Sequence, residues 1–331
     1  MRYRTIGETD LVISLLGLGG NNFGGRSDAD QTREVVGAAL DCGVTLFDTA
    51  DNYGGGGRSE TLLGDLLAAH RDKVVIATKF GADMRAVYGA DCGPIGSRRY
   101  IRTAAEGSLR RLQTEYIDLY QMHMPDPSTP LAETIGALQE LADEGKIRHF
   151  GHSNFPGWRV AEAHFAGLAT GRPAFVTTQN QYSLLTRDAE RELLPACAHF
   201  GVGFLAYFPL DNGLLTGKVR RGVSPATGSR LYGYESYVSE SKLERIEALC
   251  AWAGANGRTL LEVAIGSLVA RPGVHGAIAG ASSRDQVIAN AAAVSWIPDD
   301  RELREIDELA PPPAGILRLS DLRKKAASQP G

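Results

Sequence analysis

The stretch FDTADNYGGGGRSE, residues 47–60, joins an apolar run to a segment that begins like a helix. The run VTLFDTA, residues 44–50, is short and mostly apolar, as expected of a buried strand. Gly54–Gly57 permit a tight turn, and we predict Ser59 as the N-cap of a helix with Glu60 in its first turn. No GK[ST] follows the glycines, so they do not form a Walker-type phosphate loop. The stretch therefore predicts one strand–loop–helix unit.

The same kind of unit recurs along the chain without repeating in sequence. Short apolar runs alternate with amphipathic runs, and most apolar runs lack polar alternation, which indicates strands covered on both faces. Helix signals between them include a capping box from Asp28 to Gln31, Thr129 as the N-cap before Pro130, Ser241 opening another helix, and an apolar helix at 259–270. The other strands are predicted at residues 15–20, 73–80, 116–123, 148–154, 175–181, 203–209 and 276–282.

Eight such units predict a closed parallel (β/α)8 barrel, the TIM-barrel fold. RYRTIG and LVISLLG are predicted to form an N-terminal β-hairpin before it. Long loops are expected at 81–99, after the third strand, and at 211–238, after the seventh. We predict a single domain over residues 1–331, with 311–331 as a C-terminal tail. The alternative is an open doubly wound sheet, for which GLGGNNFGG is only a loose version of the GxGxxG loop.

Composition and charge argue against several classes of function. The 331 residues are 43% hydrophobic and 22% charged, with a net charge of −4 and a pI of about 6.0. This balance provides no positive field for nucleic acid or an anionic membrane. Four widely spaced cysteines without a CxxC pair indicate free thiols in a reducing compartment and no zinc site. MRYRTIGETD lacks the apolar stretch of a signal peptide, so we expect a cytoplasmic protein.

In a parallel barrel the active site forms where the strands end and the βα loops begin. Polar side chains stand at that end of nearly every predicted strand. Asp48 ends the second strand and Tyr53 follows in its loop, while Lys79 ends the third strand and His123 the fourth. Each residue type alone is common in a structural role. Their coincidence at the same end of three adjacent strands indicates a catalytic site.

These four residues together can protonate a developing alkoxide. A free tyrosine has a pKa of about 10 and is a poor acid at neutral pH. The ammonium of Lys79 is expected to lower the pKa of Tyr53, and Asp48 is expected to fix that ammonium in place. A neutral His123 can donate a hydrogen bond to a carbonyl oxygen. Because none of these groups can supply a hydride, the chemistry requires a cofactor.

Two other chemistries remain open on these residues. A desolvated lysine such as Lys79 at the end of a barrel strand can attack a carbonyl, as in a Schiff-base aldolase. A metal-dependent hydrolase requires several histidine and carboxylate ligands, and His123 with Asp48 are too few. Trapping of a substrate adduct on Lys79 with borohydride would support the aldolase.

Seven motifs resemble those of the aldo-keto reductases, in the same order: FDTADNYGGGGRSE, VIATKFG, SLRRLQTEYIDLYQMHMPDP, GKIRHFGHSNF, TTQNQYSLL, AYFPLDNGLLTGK and GASSRDQVIAN. The resemblance covers the chain from the hairpin to about Ala310. It implies NADP(H)-dependent reduction of an aldehyde or ketone. The catalytic tetrad would be Asp48, Tyr53, Lys79 and His123, with Tyr53 as the general acid. Potassium-channel β subunits also resemble these enzymes, so a nicotinamide-binding redox sensor without turnover is the alternative.

The resemblance also implies the residues that contact the cofactor. The nicotinamide carboxamide would be held by Ser153, Asn154 and Gln179, and Tyr207 would stack on the nicotinamide ring. The segment over the pyrophosphate contains Leu210, Leu215 and Lys218. The adenosine end is matched by Gly280, Ser282, Arg284, Gln286 and Asn290. Many members have a cation at the positions of Gly280 or Gln286 that binds the 2′-phosphate of NADP. Ser282 and Arg284 would take that role here, so NADP(H) is expected rather than NAD(H).

Two features of the seventh strand's loop depart from the family pattern. Phe208 stands where a serine is frequent, and Asp211-Asn212 replaces glycines, so we expect a stiffer or more acidic loop. The substrate pocket is predicted from residues on the loops, namely Asn21, Asn22, Phe23, Tyr88, Phe155 and Trp158. This mixture of aromatic rings and amides suits a small carbonyl compound with apolar and hydroxylated parts, including sugar-derived aldehydes.

Overall fold

The computed structural model describes residues 1–172, 174–223, 230–232 and 235–313. Its centre is a closed barrel of eight parallel strands in chain order, surrounded by helices, which confirms the predicted (β/α)8 fold. The greater part of the predicted tail, from residue 314 onward, lies outside the described residues. None of the helices in these ranges has both the length and the apolar character that a membrane crossing needs.

The predicted N-terminal hairpin is confirmed and closes one end of the barrel. It consists of β1 (Tyr3–Thr5) and β2 (Val12–Ser14), paired antiparallel. Ile6, Leu11 and Ile13 are buried against apolar side chains from the barrel interior. Arg4 donates to the carbonyl of Val274 and Ile6 packs against Gly203, and each of these two residues begins a barrel strand. The hairpin therefore covers the end opposite the predicted active site.

The barrel strands place the predicted catalytic residues on one face. They are β3 (Leu16–Gly19), β4 (Leu46–Asp48), β5 (Val75–Phe80), β6 (Ile117–Met122), β7 (Ile147–Ser153), β8 (Thr177–Gln181), β9 (Gly203–Tyr207) and β10 (Val274–Ala279). β10 pairs with β3 and closes the barrel. Asp48 lies opposite Ala77 in the register of β4 and β5. Because side chains alternate with a period of two, Lys79 points to the same side of the strand as Ala77, two residues closer to the carboxyl end of β5.

The helices follow the strands in the predicted alternation. They are α1 (Ala29–Asp41), α2 (Tyr53–Gly56), α3 (Arg58–Leu67), α4 (Arg85–Tyr88), α5 (Arg98–Leu112), α6 (Leu131–Asp143), α7 (Gly157–Leu168), α8 (Leu193–Phe200), α9 (Glu240–Ala255), α10 (Leu260–Ala270), α11 (Arg284–Ala293) and α12 (Asp300–Leu309). Short 3-10 helices lie at Ala68–Lys73, Asp188–Glu190, Asp211–Thr216 and Glu235–Tyr237. The long loops after β5 and β9 are present as predicted, except that 224–229 and 233–234 lie outside the described residues.

Helix starts were predicted with mixed success. The capping box of α1 is confirmed, since the Asp28 side chain accepts a hydrogen bond from the backbone N–H of Gln31 and the Gln31 side-chain oxygen accepts one from the backbone N–H of Asp28. The predicted N-cap Ser59 is wrong, because α3 begins at Arg58 and Ser59 is its second residue. Its buried hydroxyl donates to the carbonyl of Gly20 at 2.8 Å instead. The Ser59 hydroxyl therefore makes a tertiary hydrogen bond to Gly20 and does not cap the helix.

Two further helix starts differ from the prediction. Thr129 does not cap α6, because its hydroxyl donates to the Asp126 carboxylate at 2.7 Å and the helix begins after Pro130. Ser239, not Ser241, caps α9 by accepting from the backbone of Lys242. Ser239 and Ser241 both precede the helical segment, and serine is a preferred N-cap residue, so the sequence alone does not show which of them caps α9. The apolar segment predicted at 259–270 is confirmed as the buried helix α10.

Candidate active site

An ion pair between Asp48 and Lys79 lies at the base of the candidate site. The Lys79 ammonium donates to both Asp48 oxygens, at 2.8 and 2.7 Å, and to the carbonyl of Thr49 at 2.8 Å. The two side chains are 1% and 5% exposed. Burial acts to lower the pKa of Lys79, but the charge of Asp48 and the proximity of Tyr53 outweigh it and raise the pKa above its ordinary value. Lys79 is therefore a fixed cation at neutral pH.

Tyr53 lies above this pair at the start of the glycine run. The Lys79 ammonium is 5.0 Å from the centre of the Tyr53 ring. The turn after Tyr53 requires glycine, because Gly54 has φ 70° and a Cβ there would lie 2.6 Å from the carbonyl of Phe23. Gly55 follows with φ 74° and nothing within 4 Å of an added Cβ. Gly54 thus lets the Tyr53 loop pack against the loop after β3.

The expected low pKa of Tyr53 does not occur in the structure. Burial raises the pKa of Tyr53, and although Lys79 acts to lower it, burial prevails and Asp48 adds to the increase. The phenol consequently stays protonated at neutral pH. Lys79 then acts mainly after proton donation, when its charge can stabilise the phenolate that remains.

His123 faces Tyr53 across the floor of the site. Their ring centres are 5.8 Å apart and the planes are nearly perpendicular. Burial and the charge of Lys79 lower the pKa of His123 to about 3, so the imidazole is neutral. Its Nδ1 atom is buried without a hydrogen-bond partner among the described residues. The imidazole as a whole lines the cavity above the tetrad, where it can contact a polar group that enters the site.

A chain of hydrogen bonds surrounds the tetrad at the ends of β7, β8 and β9. Gln179 donates its amide nitrogen to Asp48 at 2.7 Å. Since a carboxylate only accepts, this bond fixes the orientation of the amide and leaves its oxygen available. Asn154, with φ 62°, donates to the carbonyl of His123 at 2.9 Å and accepts from the Tyr207 hydroxyl at 2.8 Å. Ser153 donates to the carbonyl of Gln179 at 2.6 Å.

A cavity of about 990 Å³ opens above these residues. Tyr53 and His123 line one end, and Ser282 and Asn290 line the other. The remaining expected cofactor residues on its wall are Ser153, Asn154, Gln179, Tyr207, Leu210, Lys218, Gly280 and Gln286. The cavity fits a nicotinamide dinucleotide, because a free amide oxygen and the Tyr207 ring lie beside the tetrad and a helix N-terminus lies at the far end. That helix is α11, which begins at Arg284.

Two expected cofactor residues lie outside the cavity wall. Leu215 is fully buried in a separate apolar cluster beneath the loop after β9. Arg284 extends toward α1, where it forms an ion pair with Asp41 at 2.9 Å. At the adenosine end, Gln286 accepts a hydrogen bond from the backbone of Ser282 at 2.9 Å. The described wall there presents no lysine or arginine side chain.

Most residues predicted for the substrate pocket lie elsewhere. Asn21 and Asn22 line the cavity, whereas the aromatic residues are absent from its described wall. Phe23 and Phe155 are fully buried, and the Phe155 ring stacks on His152 at 4.1 Å. Trp158 is 60% exposed on α7. The Tyr88 hydroxyl donates to Asp51 at 3.0 Å, beneath the site. These placements follow from loop paths that the local sequence does not specify.

The loop after β9 contains features that the sequence did not resolve. Phe208, Asp211 and Asn212 adopt φ of 52°, 46° and 60°, an unusual backbone for a bulky residue such as Phe208. Asp211 is fully buried and does not make the cavity more acidic, because it pairs with Lys242 at 3.0 Å. Tyr237 also donates to it at 2.6 Å. Asp211 therefore anchors the loop from behind.

The geometry of the site can be compared with what a Schiff-base aldolase and a metal-dependent hydrolase require. A Schiff-base nucleophile must be a neutral amine, whereas Lys79 is a protonated cation that makes three hydrogen bonds. Within the described ranges, no group of three or more histidine, cysteine, aspartate or glutamate side chains is arranged to hold a metal ion. Neither the aldolase nor the metal-dependent hydrolase gains support from the described residues.

Comparisons with known proteins show the family to which the chain belongs. A sequence model of the Aldo/keto reductase family matches residues 15–311. The chain is 35% identical over 326 residues to the uncharacterized oxidoreductase YrpG of Bacillus subtilis (strain 168), covering 95% of this chain and 98% of the relative. It is 32% identical over 322 residues to the L-glyceraldehyde 3-phosphate reductase of Escherichia coli (strain K12), covering 93% and 92%. It is also 32% identical over 325 residues to a putative voltage-gated potassium channel subunit beta of Schizosaccharomyces pombe, covering 93% and 92%. The match over nearly the whole chain shows that this protein belongs to the aldo/keto reductase family of oxidoreductases.

Proposed function

We propose that the protein is an NADPH-dependent reductase that converts an aldehyde or ketone to the alcohol. The observation that supports this most directly is the buried Asp48–Lys79 ion pair, which lies 5.0 Å beneath the ring of Tyr53 on the floor of a large cavity. A buried cation next to a protonated phenol suits a group that donates a proton and is then left with a negative charge.

Each member of the tetrad has a separate role in this proposal. Tyr53 is the general acid and donates its proton to the carbonyl oxygen. Lys79 stabilises the resulting phenolate, and Asp48 keeps Lys79 charged and in place. His123, neutral because burial and Lys79 lower its pKa to about 3, orients the carbonyl oxygen by hydrogen bonding. The nicotinamide, when bound, supplies the hydride.

The proposed cofactor is NADP(H), with NAD(H) as the competing candidate. The free amide oxygen of Gln179 and the ring of Tyr207 would hold the nicotinamide, and the N-terminus of α11 would face the adenosine phosphate. Arg284 is the cation nearest the start of α11, and it would have to leave its exposed pair with Asp41 to reach a 2′-phosphate. Exposed pairs of this kind contribute only about 0–1 kcal/mol, so this exchange is inexpensive.

The proposed substrates are small aldehydes, including sugar-derived ones. A relative of 32% identity is named for reduction of L-glyceraldehyde 3-phosphate. Asn21 and Asn22 give the cavity amide groups that can bind hydroxyls. We further propose a cytoplasmic location, which rests on the four free cysteines.

A cofactor-binding sensor without turnover is the second candidate, because a relative of equal identity is named as a channel subunit. Substitution of Tyr53 separates the two. Tyr53→Phe is expected to lower kcat by about 10²- to 10⁴-fold, the usual contribution of a general acid. Its Kd for NADPH, measured by cofactor fluorescence, should stay within about twofold, because the phenol ring remains. NADPH oxidation is measured against a panel of aldehydes and ketones, with NADH in parallel.

Tyr3→Phe is the matched control, since the Tyr3 hydroxyl donates to the carbonyl of Gly43 on the hairpin side of the barrel, away from the cavity. It should leave both turnover and cofactor affinity unchanged. Full turnover by Tyr53→Phe would exclude Tyr53 as the acid. Tight NADPH binding by the wild-type protein with no turnover on any carbonyl compound would favour the sensor.

A further inference from the structure

A fully buried carboxyl group, that of Asp51, lies two positions before Tyr53 and has no role in the proposed mechanism. One of its oxygens accepts a hydrogen bond from the Tyr88 hydroxyl at 3.0 Å. The other oxygen, Oδ1, is buried without a hydrogen-bond partner among the described residues. The side-chain oxygens of Asn52, the next residue, and of Tyr120 are also buried without such a partner. Buried polar atoms are nearly always paired, so three unpaired oxygens next to a general acid require an explanation.

The surroundings of Asp51 favour its neutral, protonated form. The titratable groups that face it come from four elements: Glu60 on α3, Tyr88 on α4, Tyr100 and Arg111 on α5, and Tyr120 on β6. Burial and then the charge of Glu60 raise the pKa of Asp51 to about 7. The neutral acid has a proton to donate from one oxygen, and the unpaired oxygens of Asn52 and Tyr120 are acceptors in the same buried region.

The neighbours of Asp51 also support the glycine turn that follows the general acid. Arg111 donates to Glu60 at 2.7 Å and to the Tyr88 hydroxyl at 3.2 Å. The Arg111 guanidinium packs directly against Gly57, where an added Cβ would collide with it. The turn is therefore supported by a cation that Glu60 holds in place and that Tyr88 connects to Asp51.

From this arrangement we propose that Asp51 is a positioning residue for Tyr53: its protonated form keeps the glycine turn in place and its ionised form releases it. Because the turn places the general acid, this role depends on the proposed function. While Asp51 is neutral, Arg111 stays with Glu60 against the turn. Ionisation places a second buried carboxylate near the same guanidinium, and the two carboxylates compete for it. Arg111 is then drawn toward Asp51, Gly57 loses its support, and Tyr53 leaves the geometry in which it donates its proton.

Turnover should therefore decrease as the pH rises through about 7. Three members of the tetrad keep their protonation states in this range. The pKa values of Tyr53 and Lys79 are raised above their ordinary values of 10.0 and 10.5, and that of His123 is about 3. The test measures kcat for the reduction of glyceraldehyde at saturating NADPH between pH 6 and pH 8.5. The wild-type kcat should fall by about tenfold, because a small displacement of a reacting group can cost up to about 100-fold.

Three variants distinguish this role from a merely structural one. Asp51→Asn imitates the neutral acid, because its amide has a donor group and an acceptor oxygen; its kcat should stay within about twofold of the wild-type value at pH 6 over the whole range. Tyr88→Phe removes a hydrogen bond that lowers the pKa of Asp51, so the decrease in kcat should move to higher pH. Glu60→Gln removes a charge that raises this pKa, so the decrease should move to lower pH.

Asp118→Asn is the matched control, because it removes another buried carboxylate that lies away from the turn. Asp118 pairs with Arg71 at 2.7 Å and with Arg148 at 3.1 Å near the amino end of β6. This variant should leave the pH dependence of kcat unchanged.

A second measurement is independent of turnover: amide hydrogen exchange of residues 53–57, followed by mass spectrometry. Wild type and Asp51→Asn are compared at the same pH, so that the intrinsic exchange rates cancel. The two proteins should exchange equally at pH 6. At pH 8.5 the wild type should exchange about tenfold faster, because the turn opens more often once Asp51 is ionised.

The outcomes separate this role from the proposed function. A wild-type kcat that is constant from pH 6 to pH 8.5, or a decrease that persists in Asp51→Asn, would overturn the role of Asp51 and leave the reductase intact. An Asp51→Asn variant that is slower by the same factor at every pH would show a structural role only and would also overturn it. If the wild type reduces no carbonyl compound, the proposed function fails. Equal exchange of residues 53–57 in the two proteins at pH 8.5 would then overturn the coupling of Asp51 to the turn as well.

Discussion

Substitution of Asp48 by asparagine tests the central ion pair of the site. The change preserves size and one oxygen but removes the negative charge opposite Lys79. Both Asp48 oxygens accept from the Lys79 ammonium, and one also accepts from Gln179 at 2.7 Å. An asparagine amide cannot accept at both positions, so its NH₂ group must face either the ammonium or the Gln179 amide, which are both donors. Asp48→Asn therefore leaves a buried cation without a counter-charge.

The magnitude follows in two ways. Removing one partner of a buried pair usually destabilises a protein by about 3–5 kcal/mol. The loss is also limited, because Lys79 can release its proton when its counter-charge is gone. From the ordinary lysine pKa of 10.5, deprotonation at pH 7 costs about (10.5 − 7) × 1.4, or about 5 kcal/mol. A decrease of about 3–5 kcal/mol in the free energy of unfolding is expected, or roughly 5–10 °C in Tm.

The dependence on pH distinguishes this mechanism from ordinary packing damage. In the wild type the pKa of Lys79 is raised above 10.5, so the group is protonated in both states between pH 7 and about 9.5. Its stabilising effect is complete below 10.5 and is lost only as the pH rises through the folded-state pKa. In Asp48→Asn, the charge of Asp48 no longer opposes the effect of burial, so the pKa of Lys79 falls. The unfolded state then binds the additional proton, and stability rises with pH by up to about 1.4 kcal/mol per unit.

Chemical denaturation at several pH values between 7 and 9.5 measures the effect. The difference between wild type and Asp48→Asn should shrink as the pH rises. The double variant Asp48→Asn/Lys79→Met is the control, because it removes the unpaired charge; it should recover part of the stability and lose the additional slope. A difference below about 1 kcal/mol, or one that is the same at both ends of the pH range, would refute the reasoning.

Two other effects are predicted beyond the outcomes tied to the proposals above. Asp211→Ala removes the buried carboxylate that accepts hydrogen bonds from Lys242 and Tyr237 behind the loop after β9. The Kd for NADPH and its dissociation rate, measured by stopped-flow fluorescence, should each rise by about tenfold. Unchanged values would show that the loop does not need this anchor. Asp51→Asn should stabilise the protein more at pH 8.5 than at pH 5. Burial and then Glu60 raise the pKa of Asp51 to about 7, so the native state loses stability relative to the unfolded state as the pH rises from 3.8 to 7. Equal gains in the free energy of unfolding at the two pH values, measured by urea denaturation, would argue against this prediction.

The fold was predictable because most of the strands lie in short, mainly apolar runs that the barrel covers on both faces. The predicted run 44–50 contains β4 (Leu46–Asp48), and the predicted run 73–80 contains β5 (Val75–Phe80). Helix starts were less predictable. A cap is one local hydrogen bond, and a tertiary partner such as Gly20 for Ser59 can replace it. Local pattern and global packing compete at these points, and packing prevailed at Ser59 and Thr129.

The tetrad was predictable from strand order and the alternation of side chains. Adjacent parallel strands bring their carboxyl ends together, so Asp48, Lys79 and His123 meet without any knowledge of loop paths. The pKa of Tyr53 was not predictable in the same way. Sequence reasoning identified the opposing charge of Lys79, whereas the extent of burial, which prevails, depends on every element packed around the phenol.

Substrate selection differs because it depends on loops. Asn22 and Arg230 are joined by a hydrogen bond of 3.3 Å although 208 positions separate them in the chain. No local pattern relates two such residues. The pocket prediction included Asn22 but not Arg230, and it also included Phe155 and Tyr88, which pack beneath or outside the site. The proposed reaction type therefore rests on residues at strand ends that the barrel itself aligns. The proposed substrate class rests instead on loop residues such as Asn21 and Asn22, whose place on the cavity wall depends on the path of the loop.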